Sequence, residues 1–396
     1  MSAIKNNYPK YVSLGDVFKV SSGGTPSRTK SEYFGGDIPW VKTGDLKGVY
    51  ANKPKEFITQ VGLENSSAKL FPPSTVLLAM YGATIGACSI LSFEAATNQA
   101  CAAILPSENY NEKYLYYYFS YIKPSLIRMG VGGAQPNISA GLIKKLKVPN
   151  LSLEEQKKIT EILDAANSLK QKDQQLVEHY DRLSQSLFLD MFGDPVQNPK
   201  KWEQLSLEDM VDFLTSGSRG WAKYYSDTGD IFIRIQNVGK NKLMIDDITY
   251  VNAPNNAESK RTAVQAGDIL LSITADLGRT AVIPKDFPKA HINQHLAIIR
   301  LKKGYNPDYV SEFIASEGGK RQFMKLDKGG VKAGLNFTDI KSLKLLNPPM
   351  EVQNEYLNRV KNIKQQKLIA EKSLMKSNDL FNSLLQKAFK GELTAS

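Results

Sequence analysis

Two patterns of hydrophobic and polar positions alternate along the chain. Residues 1–150 and 198–349 contain short apolar runs separated by Gly, Pro and Ser, a pattern typical of strands in a mixed domain. The predicted strands are Ile38–Val41, Thr75–Met80, Ala102–Leu105, Ile231–Ile235, Ile269–Ile273 and Leu296–Ile299. A helix is predicted late in each region, over about Glu112–Arg128 and Pro307–Met324.

Two long amphipathic stretches follow these regions, over about Ser152–Phe192 and Glu351–Lys390, and neither has an interior Gly or Pro. Ser152 with Glu155 three positions later forms the capping-box pattern that begins a helix. Gly193 after the first stretch is a typical helix stop. We therefore predict two long helices, each roughly 57 Å in length at 1.5 Å per residue.

Both long helices carry an apolar seam with the same 3-4 spacing, interrupted in its middle by Lys170 or Lys367. A second apolar line, Ile162, Ala166, Leu169, Leu176 and Leu183, lies beside it on the first helix. A stripe this wide favours more than one neighbouring helix. Either the two helices pack only on each other, or they also dock helices from another chain, which we favour. The predicted docking residues are Ile159, Leu163, Ala166, Val177, Leu187, Val360, Ile363, Leu374, Phe381 and Leu384.

The chain is duplicated. Gly36-Asp37-Ile38 returns as Gly229-Asp230-Ile231, and Asn98-Gln99 returns as Asn293-Gln294, in the same order. The predicted fold is α+β, with two similar mixed α/β domains joined by two long antiparallel helices and related by an approximate two-fold axis. The predicted boundaries are 1–150 for the first domain, 151–193 for the central helix, 194–349 for the second domain, and 350–396 for the C-terminal helix and tail.

Composition narrows the class of protein. Lys and Arg outnumber Asp and Glu by 51 to 40, giving a net charge of +11, and most of the excess lies in residues 198–396. Such a charge suits a polyanionic partner such as nucleic acid. The lack of a long apolar run and the polar N-terminus indicate a cytoplasmic protein without a membrane span. The two cysteines, Cys88 and Cys101, are expected to be free thiols.

Catalytic and cofactor motifs are lacking in the sequence. There is no phosphate-binding GxxxxGK[ST] motif, no CxxC or HExxH spacing, and no glycine-rich turn suited to S-adenosylmethionine. His291 and His295 are four positions apart but have no acidic or Cys partner nearby, so no metal site is predicted. Asn347-Pro348-Pro349-Met350 resembles a methyltransferase motif but has Met where an aromatic residue stacks on the base. No cofactor is therefore expected.

The order of the duplicated segments resembles that of type I restriction-modification specificity subunits. The similarity rests on Met191-Phe192-Gly193-Asp194-Pro195, on Leu153-Glu154-Glu155-Gln156 and on Ala388-Phe389-Lys390-Gly391-Glu392-Leu393. The resemblance covers essentially the whole chain. It implies a non-catalytic DNA-binding subunit in which each domain recognises one half of a split double-stranded DNA site. The paired helices would set the spacing and dock two methyltransferase subunits, which methylate adenine, and motor-nuclease restriction subunits would complete the complex.

Polar residues at the ends of the predicted strands and in the late glycine-rich loops are the candidates for DNA contacts, because Arg, Lys, Asn, Gln and hydroxyl groups recognise base edges. They are Ser22, Thr25, Lys42, Thr43, Tyr81, Thr84, Asn98, Gln135, Asn137, Ser218, Arg219, Arg234, Gln236, Asn237, Thr274, Arg279, Asn293 and Lys332.

Residues shared by the two copies, such as Asn98-Gln99 and Asn293-Gln294, are expected to be frame or common backbone contacts. Residues that differ at matched positions are better specificity candidates: Lys42 and Thr43 against Ile235 and Gln236, and Tyr81 against Thr274. Two alternatives stay open. The chain could be a self-sufficient methyltransferase or nuclease, or a scaffold whose duplicated domains bind proteins.

Overall fold

A computed structural model describes residues 10–130, 137–326 and 334–393. The strands are β1 Tyr11–Ser13, β2 Val20–Ser22, β3 Phe34–Val41, β4 Phe57–Ile58, β5 Leu70–Phe71, β6 Val76–Ala79, β7 Cys88–Ile90, β8 Ala95–Thr97, β9 Cys101–Ile104, β10 Lys147–Pro149, β11 Gln204–Ser206, β12 Val211–Ser216, β13 Tyr225–Ser226, β14 Asp230–Ile233, β15 Thr249–Val251, β16 Ile269–Ser272, β17 Thr280–Val282, β18 Ala290–Ile292, β19 Leu296–Leu301 and β20 Lys344–Leu346.

The α-helices are α1 Leu14–Val17, α2 Gln60–Glu64, α3 Glu112–Met129, α4 Ala140–Lys145, α5 Leu153–Phe192, α6 Leu207–Met210, α7 Ala257–Thr262, α8 Pro307–Ala315, α9 Glu317–Leu326, α10 Phe337–Lys341 and α11 Met350–Phe389. Short 3-10 turns cover Ser31–Tyr33, Thr43–Asp45, Gly82–Thr84, Trp221–Tyr224 and Ile235–Asn237. The chain divides into two compact units, Met1–Gln175 with Glu371–Ser396, and Leu176–Ala370.

Unit 1, the first of these, contains two four-stranded sheets, in the orders β2-β9-β6-β7 and β4-β3-β8-β5. The β2-β9-β6-β7 sheet is antiparallel, and α3 packs on it around Tyr117 and Phe119, which are almost fully buried. In the second sheet β3 and β8 run parallel, with Trp40 opposite Ala96. The free thiols Cys88 and Cys101 are buried in this unit, and burial raises the pKa of each to about 12.

Unit 2, Leu176–Ala370, repeats this topology with sheets β12-β19-β16-β17 and β13-β15-β14-β18. The parallel pair recurs as β14 and β18, with Phe232 opposite His291. The sequence prediction of two similar mixed domains is therefore confirmed. The single helix predicted over Pro307–Met324 is wrong, because α8 ends before Ser316 and α9 begins at Glu317. Gly319 makes this break possible, since a Cβ there would lie 2.1 Å from the Ile314 carbonyl oxygen.

The two long helices, α5 and α11, are each 40 residues long and pack together in both units. The predicted capping box begins α5, because the Ser152 backbone N–H donates to the Glu155 carboxylate at 2.9 Å. In unit 1, Ile159 and Leu163 near the start of α5 share a core with Phe381 and Phe389 near the end of α11. A pairing of early with late residues means that the helices run antiparallel, as predicted.

Unit 2 contains the complementary half of this helix pair. Phe188 and Phe192 of α5 pack on Tyr356 of α11, with ring centroids 5.8 and 4.9 Å apart. Val360 closes the same core. The two residues that interrupt the apolar seam are both accommodated. The Lys170 ammonium lies over the Phe381 ring in unit 1, and Lys367 pairs with Asp181 at 2.7 Å in unit 2.

Candidate nucleic-acid interface

In each unit three segments meet at one edge of the antiparallel sheet: the residues after β6 or β16, the turn before β9 or β19, and the residue after the late loop. In unit 1 the Met80 N–H donates to Ala100, and the Ile138 N–H donates to Met80. In unit 2 the Ile273 N–H donates to His295, and the Leu335 N–H donates to Ile273. The same backbone ladder therefore builds one matched site in both units.

Tyr81 and Thr274 occupy the matched position after this ladder. Tyr81 bridges to Asn137, and Thr274 bridges to Gly334. The structure thus supports the pairing of these two positions that the sequence predicts. The surroundings of the two side chains differ. Tyr81 is 43% exposed to solvent, whereas the Thr274 hydroxyl lies 2.7 Å from Nδ1 of His295. Thr84, in the 3-10 turn after Tyr81, donates its hydroxyl back to the Tyr81 carbonyl.

The asparagines shared by the two copies belong to the frame of this site. The backbone N–H of Asn98 donates to Val41, and that of Asn293 donates to Ile233, while the carbonyl of each asparagine accepts from the first residue of β9 or β19. Each asparagine thereby links the two sheets of its unit. The Asn293 side-chain oxygen accepts from the His295 N–H at 3.2 Å. Asn98 Oδ1 is buried and has no hydrogen-bond partner within the described parts of the chain. The buried position of Asn98 Oδ1 agrees with a frame role for the shared asparagines.

A glycine packs against this frame in both units. A Cβ added to Gly23 would lie 2.1 Å from Thr97 Oγ1, and one added to Gly217 would lie 2.1 Å from the Asn293 carbonyl oxygen. Only glycine leaves room for so close an approach of two backbones. The neighbouring candidates differ in setting, since Ser22 ends β2 opposite Ala102 whereas Ser218 forms a parallel bridge to Asn293.

The strand exits after β3 and β14 hold matched basic residues, which corrects the sequence-based matching. Lys42 and Arg234 each precede a 3-10 turn, and their N–H groups donate at 2.9 Å to Asp45 and Asn237. The register of the parallel strands, with Trp40 and Phe232 at equivalent places, also makes Lys42 the counterpart of Arg234. The pairing of Lys42 and Thr43 with Ile235 and Gln236 is therefore wrong by one position.

Several predicted DNA contacts are engaged in ion pairs. Lys42 and Arg28 both bind Glu56, and the hydrogen bond from Lys42 contributes most to lowering the pKa of that carboxyl group. Arg234 pairs with Asp247 at 3.0 Å, and Arg279 pairs with Asp276. Pairs this exposed contribute about 0–1 kcal/mol, so a phosphate group can displace the carboxylate at small cost.

Asn237 differs from the other candidates because it is buried. It is 5% exposed, and its amide nitrogen donates to the carbonyls of Met244 and Asp247 at 3.0 and 2.8 Å. Its side-chain oxygen caps the turn begun by Arg234. These bonds give Asn237 a structural role, which corrects its place among the contacts. Gln236 is exposed and donates to Asp247 at 2.9 Å.

Some candidates lie outside the described residues, and others lie at exposed or turn positions. Gln135 and Lys332 fall in the segments 131–136 and 327–333, which the structure does not describe. Arg219 is exposed, and Thr43 is the first residue of its 3-10 turn. Thr25 donates its hydroxyl to the amide oxygen of Gln99.

Sequence reasoning missed residues that organise these surfaces. In unit 2, Arg261 donates to Thr215, to the Ser216 carbonyl and to Ser218, the last at 2.6 Å. It thereby fixes the strand end next to the bridge between Ser218 and Asn293. No local motif marks Arg261, because it lies on α7, far from its partners in sequence.

The residues predicted to dock partner helices lie in the seam between α5 and α11. Ile159, Leu163, Ala166, Val360 and Phe381 are at most 8% exposed. The other five are half-buried: Val177, Leu187, Ile363, Leu374 and Leu384. The predicted register is thus the buried seam of this chain, and the assignment of its buried members to a partner is wrong.

A different set of α5 residues is exposed and apolar. Ile162 and Leu169 in unit 1 are 38% and 45% exposed, and Leu176 and Leu183 in unit 2 are 41% and 39% exposed. They recur every seventh residue, which is the repeat of a coiled-coil contact. We call these four residues the outer stripe. They belong to the second apolar line that the sequence shows beside the seam.

Comparison with known proteins identifies the family. The model of the type I restriction modification DNA specificity domain matches residues 9–179 and again residues 199–376. The chain belongs to this family. The duplication seen in the sequence therefore corresponds to two copies of one specificity domain, and the resemblance drawn from the sequence motifs is confirmed.

Relatives extend over nearly the whole chain. The specificity subunit of the type I restriction enzyme MjaIX from Methanocaldococcus jannaschii is 25% identical over 408 residues, covering 96% of this chain and 92% of that protein. The specificity subunit of EcoKI from Escherichia coli K12 is 27% identical over 397 residues, covering 90% and 83%.

Solved structures share the fold. The S subunit of a type I restriction-modification system from M. genitalium superposes with a TM-score of 0.53 at 15% identity, covering 98% of both chains. A chain from a study of the assembly and conformational transition of the type I R-M system gives a TM-score of 0.61 at 17% identity, covering 97% of this chain and 98% of that one.

Two searches of the described residues gave negative results. Across 10–130, 137–326 and 334–393, no cluster of three or more His, Cys, Asp or Glu is arranged to hold a metal ion. Within the same ranges, no helix combines the length and apolar character needed to cross a membrane.

Proposed function

We propose that this specificity subunit recognises a bipartite double-stranded DNA site, with each unit binding one half of it. The observation that carries the proposal is the matched site: one backbone ladder in each unit displays different side chains, Tyr81 in unit 1 and Thr274 in unit 2. Two copies of one framework with different polar surfaces suit the recognition of two different sequences. The net charge of +11 suits binding to phosphates.

The basic residues at the matched sites divide by role. Lys42 and Arg234 lie at equivalent strand exits, and both are held by acidic neighbours, Glu56 and Asp247. Shared basic groups are suited to phosphates, which carry no sequence information, whereas the differing residues are suited to bases. Tyr81 and Thr274 are therefore better specificity candidates than Lys42 and Arg234.

The chain itself is proposed to be non-catalytic, to need no cofactor and to act in the cytoplasm. Methyl transfer would be performed by two methyltransferase subunits docked on the helix pair, and motor-nuclease subunits would join the full complex. The outer stripe supports the docking, because Ile162, Leu169, Leu176 and Leu183 are apolar, exposed and spaced by seven residues. A partner helix that packed along them would gain about 0.8 kcal/mol of binding free energy for each CH₂ group it buries.

The proposal is tested by mapping methylated adenines in cells that express this chain with its methyltransferase subunits. We expect one motif made of two specific halves separated by an unspecified spacer. The same methyltransferase subunits without this chain should leave the DNA unmethylated. A contiguous motif would contradict the split site, and methyl transfer by the purified chain alone would contradict the non-catalytic role.

A second measurement separates DNA recognition from a purely protein-binding role. The assembled complex should lose affinity for DNA steeply as salt rises, because bound Lys and Arg release counterions from the phosphates. An affinity for DNA that does not change with salt would favour a scaffold whose duplicated domains bind proteins.

A further inference from the structure

A glutamine follows the frame asparagine in both units and lies in the turn before β9 or β19. Gln99 is exposed and Gln294 is half-buried. The neighbouring residue in each unit, Ala100 or His295, belongs to the backbone ladder of the matched site. Both glutamines therefore lie beside Tyr81 or Thr274, where that site is open to solvent.

The asparagine and the glutamine of each pair make different contacts. Asn98 and Asn293 tie the two sheets of their unit through backbone hydrogen bonds. Within the described residues, the glutamine side chains bond to other side chains of the site, Thr25 in unit 1 and His295 in unit 2. A residue that supports the frame would be expected to bond to the backbone. The presence of a glutamine at this position in both units therefore needs a different explanation.

In unit 1 the Thr25 hydroxyl donates to Oε1 of Gln99. This bond orients the amide and engages one of the two lone pairs of its oxygen, while both N–H groups point away from Thr25. The two N–H groups of an amide are both donors, so the side chain presents donors to a ligand. A group presenting two donors fits an edge with two acceptors, such as O6 and N7 of guanine.

In unit 2 the amide nitrogen of Gln294 lies 3.1 Å from Nε2 of His295. An amide nitrogen only donates, so this ring nitrogen accepts and the ring proton lies on Nδ1. Nδ1 then donates to the Thr274 hydroxyl at 2.7 Å. Among the described residues, the Gln294 oxygen and its second N–H have no other partner, and this donor and acceptor pair fits N7 and N6 of adenine.

We propose that Gln99 and Gln294 are base-contacting residues at matched positions, and that their neighbours set which base each one selects. Thr25 turns Gln99 into a donor group for guanine. His295, held by Thr274, turns Gln294 into a donor and acceptor pair for adenine. This inference rests on the proposed function, because it assumes that each unit binds half of a DNA site.

An uncharged amide favours base edges over phosphates as the target. Phosphates are bound mainly by Lys and Arg, and both units hold such residues at separate strand exits, Lys42 and Arg234. An amide held in one orientation by a neighbour is suited to a bidentate contact, which needs donor and acceptor in fixed places. His295 and Thr25 are positioning residues in this scheme, because they act through the glutamines.

The test uses the assembled complex and methylation mapping of the wild type and of variants in each unit. Gln294→Ala should lower the preference for adenine at one position of one half-site by roughly 5- to 150-fold and leave the other half-site unchanged. Gln99→Ala should do the same for guanine in the other half-site. Each variant is therefore the matched control of the other.

Two further variants test the role of the neighbours. His295→Ala, which installs the residue found at position 100, should broaden the same DNA position as Gln294→Ala without changing affinity for unrelated DNA. Gln294→Glu keeps the acceptor but loses the donor, and its preference should shift from adenine towards cytosine, whose N4 amino group donates. This variant keeps the inference testable should Gln294→Ala fail to fold.

The inference is overturned if the Gln294 variants weaken binding equally on all sequences and leave both half-sites unaltered. A wild-type protein that prefers a base other than adenine at the position altered by the Gln294 variants would also overturn the assignment of Gln294. A failure of the proposed function would give a different result, because the wild-type complex would then methylate no split motif.

Discussion

The Nζ atom of Lys170 lies 4.4 Å from the centre of the Phe381 ring, within unit 1. Lys170 is the residue that interrupts the apolar seam of α5, and Phe381 is part of the same seam on α11. A cation over an aromatic face is attracted by the ring, and the attraction grows when water is partly excluded. Burial lowers the pKa of Lys170, in agreement with such an environment.

Lys170→Glu should therefore destabilise unit 1. It removes the cation over Phe381 and places a carboxylate one turn before Asp173, which is only 8% exposed. We expect the free energy of unfolding to fall by about 1–2 kcal/mol. Urea denaturation measures the change, and Lys172→Glu, an exposed charge reversal on the same helix, should alter stability by less than about 0.5 kcal/mol. Equal effects of the two variants would contradict the role of the contact.

Gly23→Ala should disrupt the matched site of unit 1. The added Cβ would lie 2.1 Å from Thr97 Oγ1 and 2.2 Å from the Thr97 carbonyl oxygen, so one of the two sheets must move. We expect a loss of about 3 kcal/mol in stability. The matched control is Gly44→Ala, since a Cβ there has nothing within 4 Å. Thermal unfolding compares the two, and a Gly23→Ala protein as stable as the control would refute the close packing.

The stability of unit 2 should depend on pH through His291. This side chain is 1% exposed, packs against Trp221 with ring centroids 5.0 Å apart and the ring planes tilted by 39°, and binds Asp230 at 3.1 Å. Burial lowers the pKa of His291 below its usual 6.5, although Asp230 opposes this shift and Lys289 adds to it. As pH falls below about 6.5, the unfolded chain therefore takes up a proton before the folded one does.

Unit 2 should consequently become less stable between pH 7.5 and 5.5, and His291→Gln should reduce that loss. Trp221 fluorescence during urea denaturation would follow the change, with the wild type measured at both values of pH. Unit 1 supplies an internal comparison, because Ala96 occupies the strand position matched to His291. A wild-type stability that stays constant over this range would count against a neutral buried His291.

Partner docking should depend on the outer stripe. Leu169→Glu with Leu176→Glu changes two residues that are 45% and 41% exposed, so the fold should survive while the methyltransferase subunits are lost. Co-purification and circular dichroism measure the two effects. Leu163→Glu with Leu187→Glu instead places charges in the seam, where Leu163 is fully buried. This double variant should lower the free energy of unfolding by several kcal/mol. An intact complex with the stripe variant would refute the docking proposal.

Much of the fold could be predicted because the two periodicities are strong and the chain repeats them. The helix α5 begins within one residue of the predicted Ser152 and ends at the predicted Phe192. The division at Ser316 could not be predicted, because the apolar spacing continues through it. Only the packing of Gly318 on Pro195 and of Gly319 on Ile314 shows the break.

The candidate site was harder to predict because its contacts join residues distant in sequence. The spacing of Asn237 and Arg234 does not show which side chain points inward, and the 3-10 turn buries Asn237. The seam and the outer stripe are both apolar in sequence. Only the packing of α5 against α11 separates buried Leu163 from exposed Leu169.

The strand pairs β1-β10 and β11-β20 have a consequence for the evolution of such chains. Tyr11 pairs with Pro149, and Gln204 pairs with Leu346, so the chain enters and leaves each sheet-bearing region at adjacent strands. A region whose two ends lie side by side in this way can be exchanged as one segment. An exchange of genetic material with crossovers near these strands would therefore replace one sheet-bearing region in a single recombination step and leave the long helices unchanged.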